Sequence, residues 1–178
     1  MDGKAPFAVC FTGHRPEKLP AGNELRILLS LLYREIECAV AEGADTFYTG
    51  LSQGIDLWAA DIVLFFRLKH PELKLIAACP FPAFDKKLTG EALYHFRTVL
   101  HAADEVVQVS PHYHSGAFRQ RNQYMVSHSR RLIAVLTDMQ SGSGQTLRMA
   151  KRAGLELRLL SLEQAQTADS SVPDIFQF

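Results

Sequence analysis

Short apolar runs alternate with longer segments of helical periodicity along this chain. The first run, residues 7–12, ends before a glycine and predicts a β-strand. In residues 23–42 the apolar positions are spaced 3, 1, 3, 4 and 4 apart, which predicts an amphipathic helix with Asn23 as its N-cap and Gly43 as its C-cap. The alternation continues to about residue 160, so one strand-and-helix unit recurs along the chain.

The remaining runs give the order of the elements. Further strands are predicted at residues 46–49, 73–79, 105–109, 131–137 and 155–160. Further helices are predicted at residues 54–70, about 85–101, about 119–128 and 145–153, with a loop at residues 138–144. Because strands alternate with helices, the crossovers should be right-handed and the strands parallel. The sequence therefore predicts an α/β fold, a doubly wound and mostly parallel sheet with helices on both faces.

Length and composition predict a single domain. A chain of 178 residues is within the size of one domain, and 47% apolar with 21% charged residues is typical of globular proteins. We expect residues 1–178 to form this domain, with a polar C-terminal tail at about residues 163–178.

The charge balance limits the classes of partner. Nineteen basic residues balance nineteen acidic ones, so the whole protein lacks the positive field that drives sequence-independent binding to nucleic acid. A local basic patch is still compatible with this balance. No stretch reaches the roughly 18 unbroken apolar residues of a membrane span. Neither nucleic acid nor a membrane is therefore expected as a partner.

The three cysteines, Cys10, Cys38 and Cys79, are isolated in the sequence. They are odd in number and lack metal-ligand spacing, so we interpret them as reduced core thiols. The first residues also lack the basic start and long apolar run of a signal peptide. Together these features predict a cytoplasmic protein.

Polar segments follow four of the predicted strands. They read TGHRPEK after the first strand, TGLSQGID after the second, PHYHSGAFRQRNQ after the fourth and TDMQSGSGQT after the fifth. In doubly wound sheets, ligands bind outside the carboxyl ends of the strands, where the strand order reverses. Segments rich in glycine, hydroxyls, arginine and amides at this edge predict a polyanion or nucleotide site.

The glycines of the second segment fit neither the dinucleotide fingerprint nor the phosphate loop. Gly50 and Gly54, with Ser52 and Gln53 between them, can turn sharply and present backbone N–H groups beside a helix N-terminus. Because Asp56 would repel a phosphate there, we interpret it as an acceptor for a sugar hydroxyl, with the phosphate displaced toward another glycine loop. The alternative is that the glycines only form a tight turn and that Asp56 favours the helix N-terminus electrostatically.

Candidate ligand-binding residues follow the first strand and open the fourth helix. After the first strand come Thr12, Gly13, His14 and Arg15. Arg15 can neutralise a phosphate bidentately, and His14 can bind an anion or a base edge. The alternative for this segment is a surface turn. In the fourth helix the candidates are Arg119, Arg121 and Asn122. Arg121 and Asn122 are expected to face the shared crevice, and a solvated helix face is the alternative.

The stretch SGSGQT is a second glycine turn that leads into a helix. The residues that can form an anion cradle there are Gly142, Ser143, Gly144 and Thr146. A flexible loop is the alternative interpretation. His112 and His114 are two ligands without a third, so no metal site is predicted. No nucleophile and base can be identified from spacing alone.

The same segments carry a family resemblance. FTGHRP, TGLSQGIDLWAAD and RNQYMVSHSRRLIAVL leading to SGSGQT resemble the YpsA/YoqJ-like proteins of the SLOG superfamily, over roughly residues 7–160. This Rossmann-like group includes the DNA-processing protein DprA and the Lonely Guy phosphoribohydrolases. The resemblance implies a Rossmann-like sheet and a pocket for a nucleotide or nucleotide-derived ligand. On one side the implied pocket residues are Gly13, Arg15, Gly50, Gly54 and Asp56, and opposite them are Arg121, Asn122, Gly142, Gly144 and Thr146.

The resemblance to Lonely Guy enzymes is incomplete. Their R-K-x-x-M motif is similar to RNQYM, which keeps Arg121 and Met125 but has Asn122 in place of lysine. Their P-G-G-x-G-T-x-x-E motif would place its catalytic glutamate at Met149, and a thioether cannot accept a proton. Hydrolysis of the same N-glycosidic bond would then require Asp56 as the substitute, with Arg121 as the other catalytic residue.

The sequence thus predicts a cytosolic binding protein for a nucleotide-type ligand, such as ADP-ribose, NAD or a nucleoside monophosphate, with a sensor as one form of this role. No cofactor is expected to be required. The first alternative is a phosphoribohydrolase that cleaves a nucleoside 5'-monophosphate. The second is binding of single-stranded DNA in the manner of DprA, against which the neutral charge argues. A homo-oligomer is left open, since the apolar helices can either cover the sheet or pair subunits.

Overall fold

A computed structural model describes residues 6–136 and 138–162 of the chain. Within them the strands are β1 Ala8–Gly13, β2 Thr46–Thr49, β3 Lys74–Cys79, β4 Glu105–Gln108, β5 Arg131–Val135 and β6 Glu156–Leu160. The α-helices are α1 Gly22–Ala41, α2 Ile55–Arg67, α3 Gly90–Ala102, α4 Ala117–Ser127 and α5 Gly142–Arg152. The tail predicted at residues 163–178 lies outside the described residues.

The strands form one sheet in the order β4-β3-β2-β1-β5-β6, and each described pair is parallel. The prediction of a Rossmann-like, doubly wound α/β fold is therefore confirmed. From β1 the chain builds outward to β4, and it then returns to place β5 on the other side of β1. The strand order reverses between β1 and β5, and this reversal creates a crevice at their carboxyl ends.

Helices cover both faces of the sheet. Apolar side chains of α1, α2 and α3 pack on one face, and those of α4 and α5 pack on the other. Along β1, Val9 and Phe11 belong to the first core, whereas Ala8 and Cys10 belong to the second. Strands that are buried on both faces need apolar residues at successive positions. This requirement explains why inner strands such as β1 and β5 appear in the sequence as short apolar runs.

The predicted helix caps differ from those in the structure. Helix α1 has Ala21 at its N-cap and Glu42 at its C-cap, so the predictions of Asn23 and Gly43 as caps are wrong. Gly43 lies one residue beyond the C-cap with a φ of 95°. This is the left-handed position that often ends a helix and that glycine adopts without strain.

Two helices begin at least three residues away from their predicted starts: α3 begins at Gly90, five residues after the predicted start, and α5 begins three residues before its predicted start. The sequence predicts a loop at residues 138–144, but α5 begins at Gly142. The Ser141 hydroxyl caps it by accepting a hydrogen bond from the Gly144 N–H at 3.2 Å. A Cβ on Gly144 would lie 2.1 Å from the Met139 carbonyl oxygen. Gly144 therefore belongs to the first turn of the helix, where the preceding loop folds tightly against it.

The prediction of core thiols holds for one cysteine and is wrong for another. Cys10 is buried, Cys79 is partly buried and Cys38 is exposed on α1. Burial raises the pKa of the Cys10 thiol to about 12, so this group is inert near neutral pH. Among the described helices, none combines the length and the hydropathy needed to span a bilayer.

Candidate functional site

A cavity of about 360 Å³ opens where the strand order reverses. We name it the switch-point cavity. It lies at the carboxyl end of β1, and α2, α4 and α5 contribute residues to its walls. The lining residues are Phe11, Thr12, Gly13, His14, Arg15, Glu17, Lys18, Ser52, Asp56, Phe118, Arg121, Asn122, Met125, Ser141, Gly142 and Ser143. All four of the predicted polar segments, those after the first, second, fourth and fifth strands, therefore contribute residues to one cavity.

Most of the predicted site residues line this cavity. They are Thr12, Gly13, His14, Arg15, Ser52, Asp56, Arg121, Asn122, Gly142 and Ser143. Six other predicted residues are absent from its wall, namely Gly50, Gln53, Gly54, Arg119, Gly144 and Thr146. The residues of the wall that sequence reasoning missed include Glu17, Lys18, Phe118 and Ser141.

Asp56 and Arg121 are buried residues of opposite charge that both line the cavity. Asp56 is only 5% exposed to solvent, and Arg121 is only 4% exposed. Burial raises the pKa of the Asp56 carboxyl to about 6, although the positive charge of Arg121 and hydrogen bonds from Ser52 both oppose this rise. Asp56 is therefore mostly ionised at pH 7, yet it can take up a proton in mildly acidic solution.

The Arg121 guanidinium is engaged by the protein itself. Its Nη1 donates to the Gly50 carbonyl, its Nε donates to Asn122 Oδ1 at 2.7 Å, and its Nη2 donates to Ser52 Oγ at 3.4 Å. The Ser52 backbone N–H also donates to Asp56 Oδ2 at 3.4 Å. Arg121 thus clamps the loop between β2 and α2 and balances the charge of Asp56.

The two glycines of this loop are explained by close packing. A Cβ on Gly50 would lie 2.2 Å from Arg121 Nη1 and 2.7 Å from Asp56 Oδ2. Gly54 has a φ of 88°, and a Cβ there would lie 2.5 Å from the His14 carbonyl oxygen. Close packing therefore requires glycine at position 50, and a positive φ together with close packing requires glycine at position 54.

His14 joins the end of β1 to the loop before α5. It is buried, and its Nε2 accepts a hydrogen bond from the Asp138 N–H at 3.2 Å. Burial lowers the pKa of the imidazole below its ordinary value, and the nearby Lys18 charge lowers it further. His14 is therefore neutral at pH 7 and holds the wall of the cavity in place.

Two exposed cations, Arg15 and Lys18, stand on the cavity wall. Arg15 immediately precedes the short 3-10 turn Pro16–Lys18, and Lys18 is its last residue. Within the part of the chain that the structure describes, no hydrogen bond or ion pair engages the Arg15 guanidinium or the Lys18 ammonium. These two groups are therefore available to an anionic ligand.

The first turn of α5 forms the facing wall. Ser143 Oγ donates to the Gly13 carbonyl at 2.8 Å, which docks the helix against the end of β1. Among the described residues, the N–H groups of Gly142 and Ser143 have no backbone acceptor, as expected for the start of a helix. Thr146 instead turns its hydroxyl back to the Gly142 carbonyl at 3.2 Å. Of the four predicted cradle residues, Gly142 and Ser143 are thus the two that combine a place on the cavity wall with an N–H group at the helix start.

Arg119 belongs to a different surface. It lines a shallow groove of about 630 Å³ between β4 and α4, together with Gln120, Gln123 and Tyr124. This groove is larger than the switch-point cavity, but it carries no buried charge and lies along an outer edge of the sheet. No group of three His, Cys, Asp or Glu side chains that could hold a metal ion occurs among the described residues.

The chain is similar in sequence to several known proteins. The chain is 29% identical over 138 residues to the SPbeta prophage-derived protein YoqJ of Bacillus subtilis strain 168, covering 71% of this chain and 81% of that protein. It is 27% identical over 151 residues to a UPF0398 protein of Shouchella clausii, covering 80% and 79% of the two chains.

Solved structures share the fold. DprA from Streptococcus pneumoniae matches with a TM-score of 0.59 at 18% identity, covering 88% of this chain and 50% of that chain. This chain therefore spans half the length of that protein. DprA from Helicobacter pylori, described for its single-stranded DNA binding mode, matches with a TM-score of 0.58 at 21% identity, covering 88% of this chain and 66% of that chain.

The molybdenum cofactor binding protein of Rippkaea orientalis matches with a TM-score of 0.51 at 17% identity, covering 90% of this chain and 80% of that chain. At these identities the likenesses show the fold alone. The sequence itself matches the YpsA family model, described as the YspA SLOG family, over residues 9–159. The chain therefore belongs to the YspA SLOG family, which confirms the resemblance that its motifs indicated.

Proposed function

We propose that this protein binds a nucleotide or a nucleotide-derived ligand in the switch-point cavity, in the manner of a nucleoside monophosphate, ADP-ribose or NAD. One observation carries this proposal. The cavity has available cations and helix N–H groups on one part of its wall and a buried carboxylate, Asp56, on another. A ligand that matches both must carry a negative group and hydrogen-bond donors, as a sugar phosphate does.

The phosphate is assigned to the part of the wall formed by Arg15, Lys18 and the start of α5. The N–H groups of Gly142 and Ser143 lie at the positive end of a helix dipole, which favours an anion. Each charge-assisted hydrogen bond contributes about 1.5–3 kcal/mol. Three or four such bonds support micromolar affinity after the cost of association.

The sugar is assigned to Asp56. Because the pKa of its carboxyl is raised only to about 6, Asp56 is ionised at pH 7 and accepts hydrogen bonds. Doubly wound folds commonly use a carboxylate to hold a ribose hydroxyl. A cavity of about 360 Å³ is near the lower end of the range for small-molecule sites, about 300–1,000 Å³. This size favours one nucleotide unit inside the cavity, with any second unit outside it.

Calorimetric titration tests this proposal. The four common nucleoside 5'-monophosphates, ADP-ribose and NAD are titrated into the protein and into the variant Arg15→Gln. We expect micromolar binding of at least one of them, weakened about tenfold or more by Arg15→Gln, since one charge-assisted bond is lost. Arg119→Gln is the matched control, because Arg119 is also exposed but lines the other groove. No heat with any of the six compounds would refute the proposal.

Hydrolysis of an N-glycosidic bond is a second candidate, which one observation favours. A buried carboxyl with a pKa of about 6 can exchange a proton near neutral pH, as a general acid or base must. Two findings weaken this candidate. The donors of Arg121 are engaged by Gly50, Ser52 and Asn122. Met149, at the position of the catalytic glutamate of Lonely Guy enzymes, packs against the second core.

Free base release from the same monophosphates separates the two candidates. Turnover that is abolished by Asp56→Asn would establish an enzyme. Binding without base release would leave a binding protein, of which a sensor is one form. We place this role in the cytoplasm, since nucleotides are abundant there and the three cysteines are free.

Binding of single-stranded DNA is the outcome that the charge balance disfavours. A gel shift with an oligothymidylate whose affinity falls steeply with salt would support it instead.

A further inference from the structure

Three aromatic side chains form a partly exposed wall beside the switch-point cavity. We name Phe81, Tyr113 and Phe118 the aromatic wall. The ring centroids of Phe81 and Phe118 are 5.6 Å apart, and those of Phe81 and Tyr113 are 5.2 Å apart, in both cases with the rings nearly perpendicular. Behind them, Phe84 links Phe81 to the core residue Phe96. The wall is thus fixed from the inside.

The outer members of the wall remain accessible to solvent. Tyr113 is 66% exposed and Phe118 is 38% exposed. They lie in and after the segment that follows β4, and Phe81 lies in the segment that follows β3, so the wall stands at the carboxyl edge of the sheet. The two hydrophobic cores of the described residues do not include these rings. A cluster of exposed aromatic side chains commonly marks a binding surface.

The aromatic wall is continuous with the cavity through Phe118. This residue lines the cavity itself. The Arg121 guanidinium carbon lies 5.8 Å from the centroid of its ring, within the range of a cation–π contact. The Phe118 ring is therefore in contact with Arg121, the same arginine that clamps the loop between β2 and α2.

We propose that the aromatic wall holds the base of the bound nucleotide by stacking, so that the site selects nucleotides over sugar phosphates that lack a base. This inference rests on the proposed function, because it extends the phosphate and sugar contacts of the same ligand. Every nucleobase has a π-face that can stack on an aromatic ring, so stacking explains recognition of a base without a polar contact to its edge. Phe118 is nearest to the cavity and makes the first contact.

The test compares ligands with and without a base. The four nucleoside 5'-monophosphates and ribose 5-phosphate are titrated into the protein and into Phe118→Leu. In the unmodified protein the best monophosphate is expected to bind at least tenfold more tightly than ribose 5-phosphate. Phe118→Leu is expected to weaken that monophosphate about tenfold, or about 1.4 kcal/mol, and to leave ribose 5-phosphate unchanged.

Two further variants complete the test. Tyr113→Ala should act in the same direction as Phe118→Leu, and since Tyr113 is largely exposed this substitution keeps the fold. Tyr94→Ala is the matched control, because Tyr94 is 76% exposed but lies on α3, outside both the wall and the cavity. Tyr94→Ala should change neither the affinity for the monophosphate nor the affinity for ribose 5-phosphate.

The outcomes separate the two proposals. Equal affinity for ribose 5-phosphate and for every monophosphate would overturn the proposal that the aromatic wall stacks on the base. The proposed phosphate and sugar contacts would stand. Unchanged nucleotide affinity in both wall variants would overturn it in the same way. Binding of neither ligand class would overturn the proposed function, and the inference with it.

Discussion

Substituting alanine at two glycines of the same edge should have opposite effects on stability. Gly50→Ala places a methyl group 2.2 Å from Arg121 Nη1, so the guanidinium must move and lose its bond to the Gly50 carbonyl. A hydrogen bond to a charged group contributes about 1.5–3 kcal/mol. Since Arg121 is buried and Asp56 depends on its charge, we expect Gly50→Ala to lower the free energy of unfolding by about 2–4 kcal/mol.

Gly142→Ala is the matched substitution. A Cβ there would meet no atom within 4 Å, and the residue is helical without a positive φ. Alanine also restricts the unfolded chain more than glycine does, so Gly142→Ala should raise the free energy of unfolding by about 0.4–1 kcal/mol. Urea unfolding followed by circular dichroism at pH 7 measures both values. Equal effects of the two substitutions, or an unchanged stability of Gly50→Ala, would refute the packing explanation of Gly50.

Three further predictions concern the charges and backbone around the site. Because the pKa of Asp56 is raised to about 6, the folded chain keeps a proton between pH 4 and 6 that the unfolded chain releases, so this group's contribution to stability falls as the pH rises. The free energy of unfolding of Asp56→Asn, relative to that of the unmodified protein, should therefore rise by about 1 kcal/mol between pH 5 and pH 7 in urea unfolding. If this difference does not change with pH, the pKa of Asp56 is not raised. Arg131 is 1% exposed and pairs with Glu42 and Glu156. Replacing both glutamates by glutamine should lower the free energy of unfolding by about 3–5 kcal/mol and leave ligand affinity unchanged. A much smaller decrease in the free energy of unfolding would show that the buried Arg131 charge needs no charged partner. Gly54→Ala should lower the melting temperature, since it forces a φ of 88° on alanine against the His14 carbonyl, and an unchanged value would show that the turn can relax.

The fold could be predicted from the sequence because the inner strands of its sheet are buried on both faces. Such strands appear as short apolar runs, and their alternation with amphipathic helices determines the doubly wound arrangement. The same order indicates which segments meet at the carboxyl edge, so ten of the predicted residues line one cavity. The start of α5 differs from the prediction because glycines at 142 and 144 are typical of loops, although Ser141 caps the helix in the structure.

The fine structure of the site could not be predicted, because it depends on contacts between residues distant in sequence. Position 50 must be glycine because a Cβ there would clash with Arg121, which lies 71 positions away in the sequence. Phe118 and Lys18 are single exposed residues without a periodic signal. Arg119 could have been excluded from the site beside Arg121, because residues two apart on a helix do not share a face.

A crystal structure of the protein with the nucleoside monophosphate that binds most tightly tests the central claim most directly. The account predicts a phosphate beside the N–H groups of Gly142 and Ser143 and within reach of Arg15, a ribose hydroxyl on Asp56, and the base against Phe118. Electron density for the nucleotide in the groove between β4 and α4, or a ribose that does not contact Asp56, would contradict it.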